Sequence, residues 1–106
     1  MARADSRRGI QRERDLVNRL REEGYFAIRA PASLGVADVV ALKAGEPSRL
    51  IEVKSTTAGA YAGFGPADRK ALSDMARVAG ADAYLCWWPK RSEPRWIPEA
   101  DWPSKN

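Results

Sequence analysis

No histidine occurs anywhere in the chain. That absence excludes His-based catalytic triads, His-rich zinc sites and an imidazole general base. There is a single cysteine, Cys86, so no internal disulfide forms, which agrees with a reducing compartment. No apolar run approaches the ~20 residues needed to cross a bilayer. The opening MARADSRRGI lacks the apolar stretch of a secretory signal. A cytoplasmic protein with no membrane partner is therefore expected. Any chemistry must run on carboxylates, lysine, serine, tyrosine or a hard metal ion.

What remains is enough for one compact domain over residues 1–106, with a C-terminal tail at 99–106. The hydrophobic share of 44% makes a packed core feasible, and the net charge is +4. Between Arg3 and Arg14 five arginines (Arg3, Arg7, Arg8, Arg12, Arg14) stand against Asp5 and Glu13. Such a cluster suits a polyanion, either nucleic acid or an acidic membrane surface. A solvated helix face would look the same.

Helical periodicity runs from Ser6 to Glu23 and ends at Gly24. Ile10, Leu16, Val17 and Leu20 form its apolar stripe, and Glu13 lies in the middle of that stripe. Strands are expected at Tyr25–Ala30, Ala37–Lys43 and Arg49–Lys54, the last two joined by a hairpin turn over 44–48. Ser55 to Gly65 is rich in Gly, Ala and Thr and reads as a mobile loop, with Tyr61 and Phe64 as anchors. Pro66 suits the first turn of a second helix running to Gly80. Ala83–Trp88 reads as a buried strand parallel to the third, since a helix connects them. Arg95–Ile97 suits a short edge strand. The order is α-β-β-β-α-β, an α/β mixed sheet with helices packed on it. Trp87, Trp88, Trp96 and Trp102 gather near its end, as core residues and tail anchors or as an interface.

Three acids fall where apolar residues belong. Glu13 interrupts the helix stripe, Asp38 shares a strand face with Val40 and Leu42, and Glu52 follows Leu50 on its face, with Lys54 next. Burying an unpaired carboxylate costs several kcal/mol. One explanation is buried salt bridges, for instance Glu52 with Lys54 or Glu13 with Arg29. The other is that the acids converge on a shared cation. Oxygen ligands without His or Cys favour Mg²⁺ or Mn²⁺ over zinc. Lys54 beside such an ion can orient a water and stabilise developing negative charge. A hard cation, a poised water and a basic surface together describe phosphodiester hydrolysis.

Four ordered pieces now form a recognisable pattern. They are Arg8-Gly9 with Glu13-Arg14 on the first helix, Arg29-Ala30-Pro31-Ala32-Ser33, Ala37-Asp38-Val39-Val40-Ala41-Leu42, and Ile51-Glu52-Val53-Lys54-Ser55. Together they resemble the PD-(D/E)xK nuclease superfamily, and within it the archaeal-type Holliday junction resolvases, the Hjc family. The chain departs from that pattern in two places. Ala37 replaces the proline, and the second helix lacks a glutamine often found there.

The resemblance implies a restriction-endonuclease-like fold and a Mg²⁺-dependent endonuclease that resolves four-way junctions, with Mn²⁺ able to substitute. Asp38 and Glu52 would ligate the metal with the Val53 carbonyl, and Glu13 would complete the site directly or through water. Lys54 would position the attacking water, and Ser33 would contact the scissile phosphate or its water. Arg7, Arg8, Arg14 and Arg29 would hold DNA phosphates. It further implies branched DNA as partner, a homodimer to cut two strands, no organic cofactor, and the cytoplasm of a prokaryotic or phage-infected cell. The chain also resembles VRR-type nucleases, which would act on flaps or nicked DNA. A junction-binding protein on a dead nuclease fold would be expected to have lost Glu13, Asp38, Glu52 or Lys54.

Overall fold

Leu16, Val17 and Leu20 point one way from the first helix, and that face sets the position of everything else. The computed structural model describes the backbone of residues 3–30 and 36–104, with side chains from Gly9 onward. Helix α1 spans Arg3–Glu22. Gly24, at φ 94°, turns the chain in the left-handed region that glycine enters without steric cost. The Tyr25 amide then donates to the Leu20 carbonyl at 2.9 Å and closes the helix end.

Among the described residues five strands follow: β1 Phe26–Arg29, β2 Val39–Lys43, β3 Glu46–Ser55, β4 Asp82–Trp88 and β5 Arg95–Pro98. They make one sheet in the order β1-β2-β3-β4-β5. Only β3 and β4 run parallel, because helix α2, Pro66–Ala79, carries the chain back between them. The expected α/β mixed sheet is present. Among the described residues no helix is long and apolar enough to cross a membrane.

Each face of the sheet has its own core. Ile51 and Val53 of β3 pack under α1 with Leu16, Val17, Leu20, Val39 and Cys86. Leu50 faces the other way, with Phe64, Leu72, Ala83 and Leu85 under α2. Alternation therefore carries Glu52 and Lys54 onto the α2 side, beyond Leu50. Helix α2 packs mainly on β3 and β4, and Phe26, Ile28 and Leu42 of β1 and β2 stay exposed. Burial raises the Cys86 thiol to about 12, so it serves as a small apolar core residue.

Two expectations need correction. Residue 38 precedes β2 rather than lying inside it, although its amide donates to Ile51 O and its carbonyl accepts from Ala30 N, both at 2.8 Å. Strand β3 begins at Glu46, so Pro47 lies in a strand and not in a turn. The β2–β3 register shifts between Ala41 and Lys43, a ladder irregularity where a residue without an N–H is tolerated. The described part of the C-terminal tail, residues 99–104, is anchored, as one reading of the tryptophans expected. It opens with a 3-10 turn, Glu99–Asp101, and Trp102 packs edge-on against Phe64 with ring centroids 5.1 Å apart.

The tryptophans make packing contacts within the chain. Trp88 lies in the α1-side core, and the Arg12 guanidinium stands 4.9 Å over its ring. That contact fixes the turn of α1 that carries Glu13. Trp96 meets Tyr84 edge-on, and Trp87 Nε1 donates to the Thr56 carbonyl at 2.9 Å.

Candidate active site

The site forms where β1 ends, β2 starts and β3 ends. Antiparallel pairing brings Arg29 opposite Val39, the residue after Asp38. It also sets Val39 opposite Ile51, the residue before Glu52. Asp38 then reaches over β3, and its Oδ2 accepts a hydrogen bond from the Val53 amide at 2.8 Å. Asp38 is thus tied to the residue between Glu52 and Lys54.

Both salt bridges that the sequence offered as the alternative to a shared cation are formed. Lys54 Nζ lies 3.3 Å from Glu52 Oε2, with the glutamate side chain only 16% exposed. Arg29 Nε donates to Glu13 Oε1 at 2.9 Å. These pairs do not cancel the repulsion among the acids. Burial first, and then the Asp38 charge, push the Glu52 carboxyl up to about 7 against the pull of Lys54. Burial raises Asp38 as well, with Glu13 adding to it, while the Val53 amide, Lys54 and Arg29 oppose the rise. Neighbouring carboxylates that each lift the next are a cation-seeking arrangement.

The donor chemistry fits a hard divalent ion, being all oxygen. Asp38 Oδ1 has no partner among the described residues, since Oδ2 alone holds the Val53 amide. As they stand, the described residues contain no group of three carboxylates close enough to enclose one ion. Asp38 and Glu52 are brought together, whereas Glu13 is turned toward Arg29.

The remaining expected residues divide. Ser33 and the side chains of Arg7 and Arg8 lie outside the described residues. Arg14 and Arg29 both line a cavity of about 410 Å³ beside the site. Asn18 and Arg21 line it too, and sequence reasoning did not single them out. Helical spacing carries the signal for them, because Arg14, Asn18 and Arg21 fall on one face at i, i+4 and i+7. Arg21 also donates twice to the Ala27 carbonyl, at 3.2 and 3.0 Å, capping the outer edge of β1. Arg12 belongs to the fold, stacked on Trp88 and paired with Asp15 at 3.4 Å.

The segment after Lys54 was expected to be mobile, yet it is tied down on several sides. Phe64 is fully buried, and the buried Arg69 donates to its carbonyl at 2.8 Å. Gly63, at φ 79°, lies directly against Lys54. Neither Arg69 nor Gly63 was legible in advance. A buried arginine reads as a surface one in sequence, and a positive φ leaves only the word glycine.

The sequence model of the archaeal Holliday junction resolvase (Hjc) family matches residues 4–104. The crossover junction endodeoxyribonuclease Hjc of Sulfurisphaera tokodaii is 37% identical over 83 residues, 74% of this chain. Its namesake from Sulfolobus acidocaldarius is 36% identical over the same share. The chain spans 57% of the length of each of these two relatives. Among solved structures, Archaeoglobus fulgidus Hjc, a Holliday junction resolvase from an archaeal hyperthermophile, superposes with a TM-score of 0.73 at 29% identity. That match covers 88% of this chain and 74% of the other.

Proposed function

This chain belongs to the archaeal Holliday junction resolvase (Hjc) family, and from that premise we propose that it is an endonuclease that hydrolyses paired phosphodiesters in four-way DNA junctions. Nucleases of this family generally depend on a divalent metal. Here Mg²⁺ is the proposed ion, with Mn²⁺ able to replace it. One observation carries the reading: the Asp38 carboxylate is hydrogen-bonded to Val53 between Glu52 and Lys54, and the Asp38 charge raises the Glu52 carboxyl.

Asp38, Glu52 and the Val53 carbonyl would hold the ion, with Glu13 reaching it directly or through water once released from Arg29. A bound ion would polarise the phosphate and acidify a water. Lys54 would hold that water in line and offset charge growing on the phosphate. Ser33 would touch the scissile phosphate or its water. Arg7, Arg8, Arg14 and Arg29 would grip phosphates, which places the DNA without reading its sequence. Arg29 released from Glu13 is then available to DNA, so one exchange of partners serves both residues. Cutting two strands requires two sites, so the working form is a homodimer. The proposed location is the cytoplasm, where a DNA nuclease meets its substrate.

The experiment is cleavage of a labelled four-way junction beside linear duplex, nicked duplex and a flap, with Mg²⁺ or EDTA. Paired symmetric cuts in the junction alone, lost in EDTA and in Asp38→Ala, establish the reading. Preference for flaps or nicks keeps the metal site and overturns the substrate. Tight junction binding with no cutting in Mg²⁺ or Mn²⁺ overturns the activity.

A further inference from the structure

The geometry points to Gly63 as a positioning residue that keeps open the seat of the Lys54 ammonium. The inference deepens the proposed function, since it rests on Lys54 holding the attacking water. A methyl group built on the Gly63 Cα would lie 3.4 Å from Lys54 Nζ and 3.8 Å from Cε. A methyl there stands in full contact with the ammonium and leaves no room for water on that side. A longer side chain starts from that contact and crowds the space around Nζ. Lysine is flexible, so the cheapest response is for Nζ to swing away, losing its 3.3 Å approach to Glu52.

The backbone cannot retreat instead, because the next residue is locked. Phe64 is fully buried. Its amide donates to Tyr61 O at 2.9 Å, and Arg69 Nη1 donates to its carbonyl at 2.8 Å. Trp102 closes on its ring from the far side. At the other end of the segment, Trp87 grips Thr56. So the loop is a fixed wall, and residue 63 is the part of it that faces Lys54.

Gly59 supplies an internal control. It lies in the same loop at φ 113°, where a side chain is strained as well, but a Cβ there meets nothing within 4 Å. Loop strain alone would affect both positions alike. Loss of the lysine seat would affect only position 63.

The test compares Gly63→Ala, Gly63→Leu, Gly59→Leu and Lys54→Ala in the full chain. Three quantities are read: single-turnover junction cleavage in Mg²⁺, junction affinity in EDTA, and acetylation of Lys54 by a small amine-reactive reagent without metal, located by mass spectrometry. Gly63→Leu is expected to slow cleavage by about tenfold to a hundredfold, and Gly63→Ala by less. Affinity and melting temperature should change no more than in Gly59→Leu. Lys54 should be acetylated faster in Gly63→Leu than in wild type, and at the wild-type rate in Gly59→Leu. Equal cleavage and equal labelling in the two leucine variants would overturn the role of Gly63 while leaving the nuclease reading intact. Wild-type cleavage by Lys54→Ala would instead remove the role of Lys54, and that of Gly63 with it.

Discussion

The Val53 amide donates to Asp38 Oδ2 at 2.8 Å, across 15 positions of sequence. This bond joins the start of β2 to the end of β3, and it makes one acid of the site part of the frame that holds the other. Asp38→Ala should therefore do two things. Cleavage should be lost while junction binding persists. The orphaned Val53 amide should lower stability by about 1–3 kcal/mol. Chemical denaturation and a gel-shift titration on the same preparation check both. Cleavage at the wild-type rate would sink the metal assignment.

The pH dependence of stability follows from Glu52. Its folded pKa is about 7, against 4.5 for the unperturbed group. Between those values the folded chain keeps a proton that the unfolded chain has lost. Stability should therefore fall as pH rises from about 4.5 to 7, and level off above. In metal-free buffer, Glu52→Gln should flatten that slope. A slope unchanged in Glu52→Gln would mean that other groups carry it.

Divalent metal should stabilise the fold by relieving repulsion between Asp38 and Glu52. At a concentration a hundredfold above its dissociation constant, Mg²⁺ adds about 2.7 kcal/mol. For a domain of this size that raises the melting temperature by roughly 11–22 °C. The shift should vanish in Asp38→Ala and in Glu52→Gln. Thermal melts with Mg²⁺, Mn²⁺ and EDTA measure it.

Arg14 is exposed and lines the basic cavity with Arg21 and Arg29. Arg14→Ala should weaken junction binding and reduce the salt slope by about one unit. Arg8→Ala should do the same. Arg12→Ala should differ, because Arg12 is spent on Trp88 and Asp15. Its loss should appear in stability and leave the salt slope alone. Affinity measured at several salt concentrations separates the two kinds of arginine.

Much of this was legible in the residues. Glu13, Asp38 and Glu52 broke otherwise apolar patterns, and three acids in apolar positions point to a site. The parallel pairing of β3 with β4 followed from the helix between them. Pro47 misled because proline marks turns in general, whereas here a register shift beside it removes the need for its N–H. The loop after Lys54 misled because small residues read as mobility, and its anchors come from Arg69 on the next helix and from Trp87 and Trp102, far along the chain.

The sequence by itself determined the faces on which Glu13 and Glu52 lie, since helix and strand periods are local properties of the backbone. It also determined the absence of histidine and hence the oxygen-only donor set. The sequence could name Glu13–Arg29 and Glu52–Lys54 as candidate pairs, but tertiary structure decided that both form and that Asp38 takes the Val53 amide. Those choices depend on strand register and on distances of a few ångströms, and Coulomb energies in a partly buried site change steeply over that range.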